Sequence, residues 1–350
     1  MKKKIVVVGA GAIGGYAGGH MARGGEDVTL IDPWPEHVDH MNRNGLRLDG
    51  VTRQECCVVP VKAIHLTEVQ ALAKSRPVDI AFICVKSYDT EWATALIAQY
   101  LAPDGFVVSL QNCMNEETVA RVAGAERTLG CIASIVAAEL VAPGHIQRNV
   151  PLGDEEHAAF RVGEMHGRIT ERAREVAALL RNADSAKVTT NLWGERWSKL
   201  IVNGMRNGLS AATGLSGKER DSNPKTRDIS LRLAAEAIRV GWALGYQIEK
   251  IAGVTAEKIV AAVDGDRSAR AEVDADVDRQ VALRSDDQRP SMGQDMRKAR
   301  RTEIDLINGL IAAKGDETGV PTPVNKALVA AVKRVEQGEI APGPEVVAHI

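Results

Sequence analysis

Aromatic residues are scarce in this chain of 350: three Phe, four Tyr and five Trp, or 3%. The formal net charge is only −2, with 44 Lys and Arg against 46 Asp and Glu. A nucleic-acid binder needs a basic footprint and often stacking rings, so nucleic acid is not an expected partner. Long apolar runs are also missing. None approaches the ~18 residues of a membrane span, and no membrane partner is expected. The apolar stretch behind Lys2-Lys3-Lys4 stops at Val8, too short for a signal peptide. Cysteines number five, at 56, 57, 84, 113 and 131, an odd count with two of them adjacent. They read as reduced thiols of a soluble cytoplasmic protein. C-x-x-C and H-E-x-x-H motifs are absent, and His37-x-x-His40 reads as a solvent-facing pair rather than a metal edge. No metal centre is expected.

What the chain does carry begins at its start. Ile5-Val6-Val7-Val8 is an unbroken β-branched run, the pattern of a parallel strand buried on both faces. It ends at Gly9-Ala10-Gly11-Ala12-Ile13-Gly14, which has G-x-G-x-x-G spacing. Gly9 allows a tight turn, Gly11 lets the backbone approach a pyrophosphate, and Gly14 lets the next helix pack on the strand. A helix over about 12–23 would aim its unpaired amides at the phosphates. Gly9, Ala10, Gly11, Ala12, Ile13 and Gly14 are therefore expected to hold a dinucleotide. A second strand, Asp27 to Ile31, ends at Asp32, where a carboxylate accepts hydrogen bonds from an adenosine ribose. A 2′-phosphate would face that carboxylate as a like charge. NAD(H) is thus the expected cofactor, with NADP(H) as the alternative.

Further along, Pro33-Trp34-Pro35 opens a helix to about Arg43, and Cys57 to Val61 reads as a strand. Helix 67–74 precedes a buried strand from Val78 to Val85, which ends at Lys86. Helix 89–101 leads through Pro103-Asp104-Gly105 to the strand Phe106–Leu110, which ends at Gln111-Asn112. This alternation predicts a doubly wound parallel sheet, with ligands at the carboxyl ends of its strands. Gly9, Asp32, Lys86 and Asn112 all fall at such ends. Residues 127–165 look β-rich, with Ile132–Val136 and Gly144–Ile146 as antiparallel additions. Helix 167–182 and a strand near Val188 follow. From Asn191 the pattern turns helical, punctuated at Asp264-Gly265-Asp266 and Asp286-Asp287-Gln288-Arg289-Pro290. The fold class is α/β, with a dinucleotide-binding domain over 1–188 and an all-α domain over 189–350.

Two windows in the helical part hold polar residues in suggestive positions. Lys199, Asn203 and Asn207 recur every four residues, which places them on one face of a continuous helix. A solvated stripe explains the same spacing. Ser291 with Gln294 reads as a capping box. Glu303 follows Ser291 by twelve residues, ~18 Å along a continuous helix. A surface ion pair with Arg300 or Arg301 also accounts for Glu303.

Taken together these motifs resemble the ketopantoate reductase (2-dehydropantoate 2-reductase) family over nearly the whole chain. They are Gly9-x-Gly11-x-x-Gly14, Val85-Lys86, Gln111-Asn112, the Lys199/Asn203/Asn207 helix, Ser291-Met-x-Gln-Asp and Arg301-Thr302-Glu303-Ile304-Asp305. The resemblance implies a Rossmann domain followed by a helical domain. It makes Lys199 the proton donor, gives Asn203, Asn207 and Ser291 to the substrate, and sets Lys86, Asn112 and Glu303 along the cofactor. Hydride transfer to a ketone leaves an alkoxide that needs a proton. A Lys supplies one when burial or a nearby cation lowers its pKa.

The departures from the family pattern are specific. Gln111-Asn112-Cys113-Met114-Asn115 stands where the family reads Gln-Asn-Gly-x-Gly, one residue shorter. Gln288 stands for an Asn, Leu215-Ser216-Gly217 replaces another substrate Asn, and Asp32 takes the place of a basic residue. These changes favour an NAD(H)-linked enzyme that interconverts a 2-oxo and a 2-hydroxy carboxylate; a homodimer is the expected assembly. The alternatives are NADPH-dependent ketopantoate reductase proper, serving pantothenate synthesis, and a non-catalytic NAD-binding module.

Overall fold

The computed structural model describes residues 2–134, 136–154, 157–282 and 289–350. Asp286, Asp287 and Gln288, and Ile135 within the expected Ile132–Val136 strand, lie outside the described residues. The chain forms two compact units, Met1–Leu192 and Trp193–Ile350.

The first unit contains β1 (Lys4–Val8), β2 (Asp27–Asp32), β3 (Leu46–Asp49), β4 (Cys57–Val59), β5 (Lys62–His65) and β6 (Val78–Ile83). After these come β7 (Leu101–Ser109), β8 (Thr128–Ala133), β9 (Ala138–Ala142), β10 (His145–Arg148), β11 (Phe160–Glu164) and β12 (Ala186–Thr189). Eight strands make one sheet in the order β12-β11-β8-β7-β6-β1-β2-β5, and β4-β3-β10-β9 make a second. The six strands from β5 to β8 run parallel, and β11 joins β8 antiparallel. This is the Rossmann arrangement, with the chain reversing direction across the sheet at β1.

The unbroken apolar sequence of β1 follows from its place at the centre. Ile5 and Val7 pack into one core layer, Val6 and Val8 into the other, and all four are at most 1% exposed. Five helices accompany the sheets: α1 (Ala12–Arg23), α2 (Pro35–Asn44), α3 (Thr90–Ala98), α4 (Glu116–Ala123) and α5 (Glu171–Leu180). Residues of α1, α5 and the small sheet fill the first layer. Residues of α3, α4 and a turn at Leu66–Lys74 fill the second. Close approach shapes α1: a Cβ at Gly18 would meet Leu30 of β2, and one at Gly19 would meet Leu46 and Leu48 of β3.

Several elements differ from the sequence expectation. The predicted strand Cys57–Val61 is cut at Pro60, which has no amide to donate. Its first half, β4, joins the small sheet, and β5 beyond it extends the large one. The predicted helix 67–74 is a 3₁₀ run, capped by His65 and Glu68. Strand β8 begins earlier, at Thr128, where it pairs parallel with β7, while Ile132 and Ala133 at its end pair antiparallel with β11 as expected. The expected helices 89–101 and 167–182 shorten to α3 and α5.

The second unit is helical among its described residues. It holds α6 (Leu192–Gly204), α7 (Asn207–Thr213), α8 (Gly217–Ser222), α9 (Pro224–Ala243), α10 (Ala256–Val263), α11 (Arg267–Ala282), α12 (Ser291–Arg297), α13 (Asn308–Thr318) and α14 (Pro323–Glu336). Helix α6 already begins at the last residue of the first unit.

Candidate functional site

Strand β1 ends because Gly9 turns to φ +94°, a conformation that side chains resist. A Cβ there would also press on the Cys84 carbonyl carbon and the Val85 nitrogen at 2.9 Å. The Gly9 amide donates to the Ile31 carbonyl at 2.8 Å, pinning the turn to β2. Gly14 faces the strand so closely that a Cβ would overlap the Gly9 carbonyl oxygen and the Cys84 side chain. Gly11 is the opposite case, because a Cβ there would meet no protein atom within 4 Å. Gly11 is also the N-cap of α1 and has no side chain to occupy the first-turn amides. The three glycines thus do three different things, and the space before Gly11 fits an incoming pyrophosphate.

Asp32 closes β2 next to this loop and is 8% exposed. Its Oδ1 accepts the Trp34 amide at 3.0 Å, so it does tie down the turn. Burial pushes the carboxyl up from its ordinary range. The Trp34 and Ala10 amides and the imidazoles of His37 and His65 pull it partly back. His37 is fully buried, which overturns the expectation of a solvent-facing pair. Its Nδ1 accepts the Gly144 amide at 2.8 Å, so the proton sits on Nε2, which donates to the Ala10 carbonyl at 3.0 Å. His40 lies half-buried against Gly144.

Lys86 and Asn112 stand just past β6 and β7, on the same carboxyl edge as Gly9 and Asp32. Gln111 braces the two loops, its Nε2 donating to the Val85 carbonyl at 2.8 Å and to Thr90 Oγ1 at 2.9 Å. The Asn112 carbonyl accepts from Asn115 Nδ2 at 2.7 Å and from Ser87 Oγ at 3.3 Å. Cys113 is buried at φ +64°, a left-handed conformation rare for a residue with a side chain. The first unit therefore gathers every expected dinucleotide residue that it contains along one edge.

In the second unit, Lys199 is half-buried on α6 and Asn203 lies one turn on, 8% exposed. The Asn203 Nδ2 is buried without a hydrogen-bond partner among the described residues. The expected continuous stripe stops there. Helix α6 ends at Gly204, Met205 and Arg206 form a turn, and Asn207 is the first residue of α7. Ser291 is likewise the first residue of α12, which packs on α7.

The capping box predicted there does not form. Pro290 is the N-cap, and the Gln294 Nε2 turns back to the Arg289 carbonyl at 3.1 Å. No continuous helix joins Ser291 to Glu303. Helix α12 ends at Arg297, and Ala299 turns to φ +49° with the Arg300 amide bonded to the Asp295 carbonyl. Glu303 is buried at 5% exposure rather than standing on the surface, and the adjoining Ile304 packs near Gly208 of α7.

Residues 5–159 match the ketopantoate reductase PanE/ApbA family, and residues 191–336 match its C-terminal counterpart. A 2-dehydropantoate 2-reductase from Archaeoglobus fulgidus is 30% identical over 338 residues, spanning 96% of this chain and 99% of that one. The chain belongs to the ketopantoate reductase family. It is accordingly an NAD(P)-dependent oxidoreductase.

A PanE/ApbA family ketopantoate reductase from Ralstonia eutropha JMP134 superposes with a TM-score of 0.77 at 28% identity, over 96% of this chain and 99% of that one. A D-mandelate dehydrogenase solved with NADH and anilino(oxo)acetate shares the fold, with a TM-score of 0.78 at 23% identity over 96% and 98% of the two chains. Against the family pattern, Ser216 takes on a different task. It is buried and caps α8 in a true capping box with Glu219. Its S-x-x-E spacing is the local signal of that box. The buried role of His37 had no local signal, because both its partners are backbone groups distant in sequence.

Proposed function

We propose that this reductase-family enzyme transfers hydride between NAD(H) and a 2-oxo/2-hydroxy carboxylate, with Lys199 handling the proton. The observation that carries this reading is the Asn203 amide, buried one turn from Lys199 without a partner among the described residues. Burying an unsatisfied amide costs about 1–3 kcal/mol, a cost that a bound polar ligand removes. Bound nicotinamide supplies or accepts the hydride. Lys199 gives its proton to the alkoxide oxygen in reduction and takes it back in oxidation. Asn203 and Asn207 orient the carbonyl and neighbouring hydroxyl or carboxylate oxygens, and the Ser291 hydroxyl adds a further donor. Lys86, Asn112 and Glu303 belong to the cofactor in this reading. The assembly proposed with it is a homodimer, to be read by sedimentation.

The preference for NAD(H) rests on Asp32. Its carboxyl stands at the end of β2 beside the Ala10 amide, where a ribose diol donates well and a 2′-phosphate meets like charge. A second reading, NADPH-dependent reduction of 2-dehydropantoate, is favoured by the activity for which the A. fulgidus relative is named. One experiment separates them: 2-dehydropantoate and a panel of other 2-oxo acids, each assayed with NADH and with NADPH. Preferred NADH with an acid other than 2-dehydropantoate supports the proposal. Equal efficiency with NADPH on 2-dehydropantoate sinks it in favour of the second reading. Tight NADH binding with no turnover of any acid would leave only a binding module.

A further inference from the structure

Between Asn203 and Asn207 the helix is broken, and the break is held from three sides. The carbonyl oxygen of Gly204 accepts from Asn308 Nδ2 at 2.9 Å, that of Met205 from Ser230 Oγ at 2.8 Å, and that of Arg206 from an Arg220 guanidinium nitrogen at 3.2 Å. These three donors come from three different helices, α13, α9 and α8. Each is buried: Asn308 at 0%, Ser230 at 4% and Arg220 at 1% exposure. The Gly204 and Met205 carbonyls lie where α6 runs out of intrahelical donors, and inside a protein each needs one, while the Arg206 carbonyl also accepts the Ser210 amide of α7 at 3.1 Å. Three consecutive carbonyls, each gripped by a side chain of a different helix, make a fixed joint rather than a frayed end.

Two of the donors are themselves anchored. Asn308 Nδ2 also reaches Asn325 Oδ1 at 2.9 Å. Asn325 Nδ2 in turn donates to Glu236 at 2.8 Å, and the Glu236 carboxylate accepts the Val324 and Asn325 amides that open α14. Arg220 pairs with Asp221 at 2.7 Å and donates to Ser210 Oγ at 3.0 Å, one turn into α7. Asn308 Oδ1 is buried without a hydrogen-bond partner among the described residues, so the side chain holds the Gly204 carbonyl through its amide nitrogen alone.

We infer that Ser230, Arg220 and Asn308 are positioning residues that set the angle between the Lys199–Asn203 turn and Asn207, and so the fit of the 2-oxo acid. The inference rests on the functional reading above. In an unbroken helix Asn207 would lie one more turn along the same stripe. The joint instead makes Asn207 the first residue of α7, the helix against which the Ser291 helix packs. A shift of about 1 Å at a substrate contact can cost on the order of 10²-fold in rate, so a loosened joint should be visible in kinetics.

The test uses Ser230→Ala, its conservative partner Ser230→Thr, and Arg220→Lys in the full-length enzyme. Expected are a rise of roughly 10-fold or more in KM for the 2-oxo acid, an unchanged KM for the nicotinamide nucleotide, and restoration by Ser230→Thr. Amide hydrogen exchange in Ser230→Ala should quicken over residues 204–210 and stay at wild-type rates in α9 and α14. A lowered melting temperature with unchanged KM and exchange spread over the whole unit would overturn the inference, leaving these side chains only structural. If wild-type enzyme turns over no 2-oxo acid, the functional reading fails first. The exchange pattern then still decides whether the joint exists.

Discussion

The Nε2–H of His37 donates to the carbonyl oxygen of Ala10 at 3.0 Å, fastening helix α2 to the glycine-rich loop. The other ring nitrogen accepts the Gly144 amide, so one buried imidazole ties the loop to the small sheet. His37→Phe would leave a buried carbonyl and a buried amide unmatched, each costing about 1–3 kcal/mol. The expected outcome is a lower melting temperature together with a raised Kd for the dinucleotide. Titrating NADH against the variant by fluorescence checks this, and an unchanged Kd would mean that the loop holds its shape without His37.

Lys199→Ala should reduce kcat by ~10²–10⁴-fold, the usual contribution of a general acid or base. Dinucleotide affinity should stay near wild type, because every glycine-loop contact lies in the other unit. Turnover near wild type at every pH between 6 and 10 would show that another group moves the proton.

Ser291 separates a structural from a chemical role. With Pro290 as N-cap and no side-chain cap bond at α12, Ser291→Ala should shift stability by less than about 0.5 kcal/mol, as exposed or half-exposed substitutions usually do. The KM for the 2-oxo acid should nevertheless rise. A loss of stability with unchanged KM would assign the hydroxyl to the helix instead.

What could be read in advance, and what could not, follows from the range of the interactions. The glycine turn, β1, α1 and Asp32 are encoded by neighbours in sequence, and the structure has them where the pattern put them. The break after Asn203 was only faintly legible. Gly204 and Gly208 flank it, but the donors that hold it, Asn308, Ser230 and Arg220, stand 104, 25 and 14 residues from the carbonyls they grip. Spacing of four therefore suggested one helix where distant side chains impose two. The Ser291 box failed for a local reason: Pro290 begins the helix one residue earlier than the Ser-x-x-Gln pattern requires. The role of Cys113 was half visible. Its place after Gln111-Asn112 is plain in the sequence, but its φ of +64° is set between the tethered Gln111 and Asn115 on either side.

Asp32→Asn should act on stability and cofactor choice in opposite senses. Burial raises the carboxyl's pKa above 3.8, so the ionised form is disfavoured in the fold relative to the unfolded chain. The wild-type protein is therefore penalised once pH rises above that range, and the neutral amide escapes the penalty. Near pH 7 the variant should melt higher than wild type without ligand, and the gain should disappear below pH 3.8. Discrimination between NADH and NADPH should fall with the lost charge, by up to ~10²-fold if repulsion accounts for about 2.7 kcal/mol. An unaltered NADH/NADPH ratio would confine Asp32 to holding the Trp34 amide.

His20 makes the first unit sensitive to mild acid. It lies on α1, 7% exposed, edge-on to the Tyr16 ring, and its Nδ1 has no hydrogen-bond partner among the described residues. Burial drives its pKa down to about 4, helped by Arg23 and by Arg148, and Asp184 only partly offsets them. Arg148 and Asp184 form a fully buried ion pair beside it, with Arg148 also donating to the Tyr16 hydroxyl at 2.8 Å. The unfolded chain takes up a proton on this histidine near pH 6.5, and the folded chain resists until about 4. Stability is therefore complete above pH 6.5 and drains away as pH falls through that window, by on the order of 3 kcal/mol. His20→Gln removes the titrating group while keeping a polar side chain of similar reach. Urea unfolding of both proteins at pH 7 and pH 5 measures the effect. Wild type should lose about 2 kcal/mol more than the variant between those values, since each pKa unit is worth 1.36 kcal/mol. If the two lose stability in parallel, the acid sensitivity belongs to other groups and His20 packs on Tyr16 with its charge irrelevant.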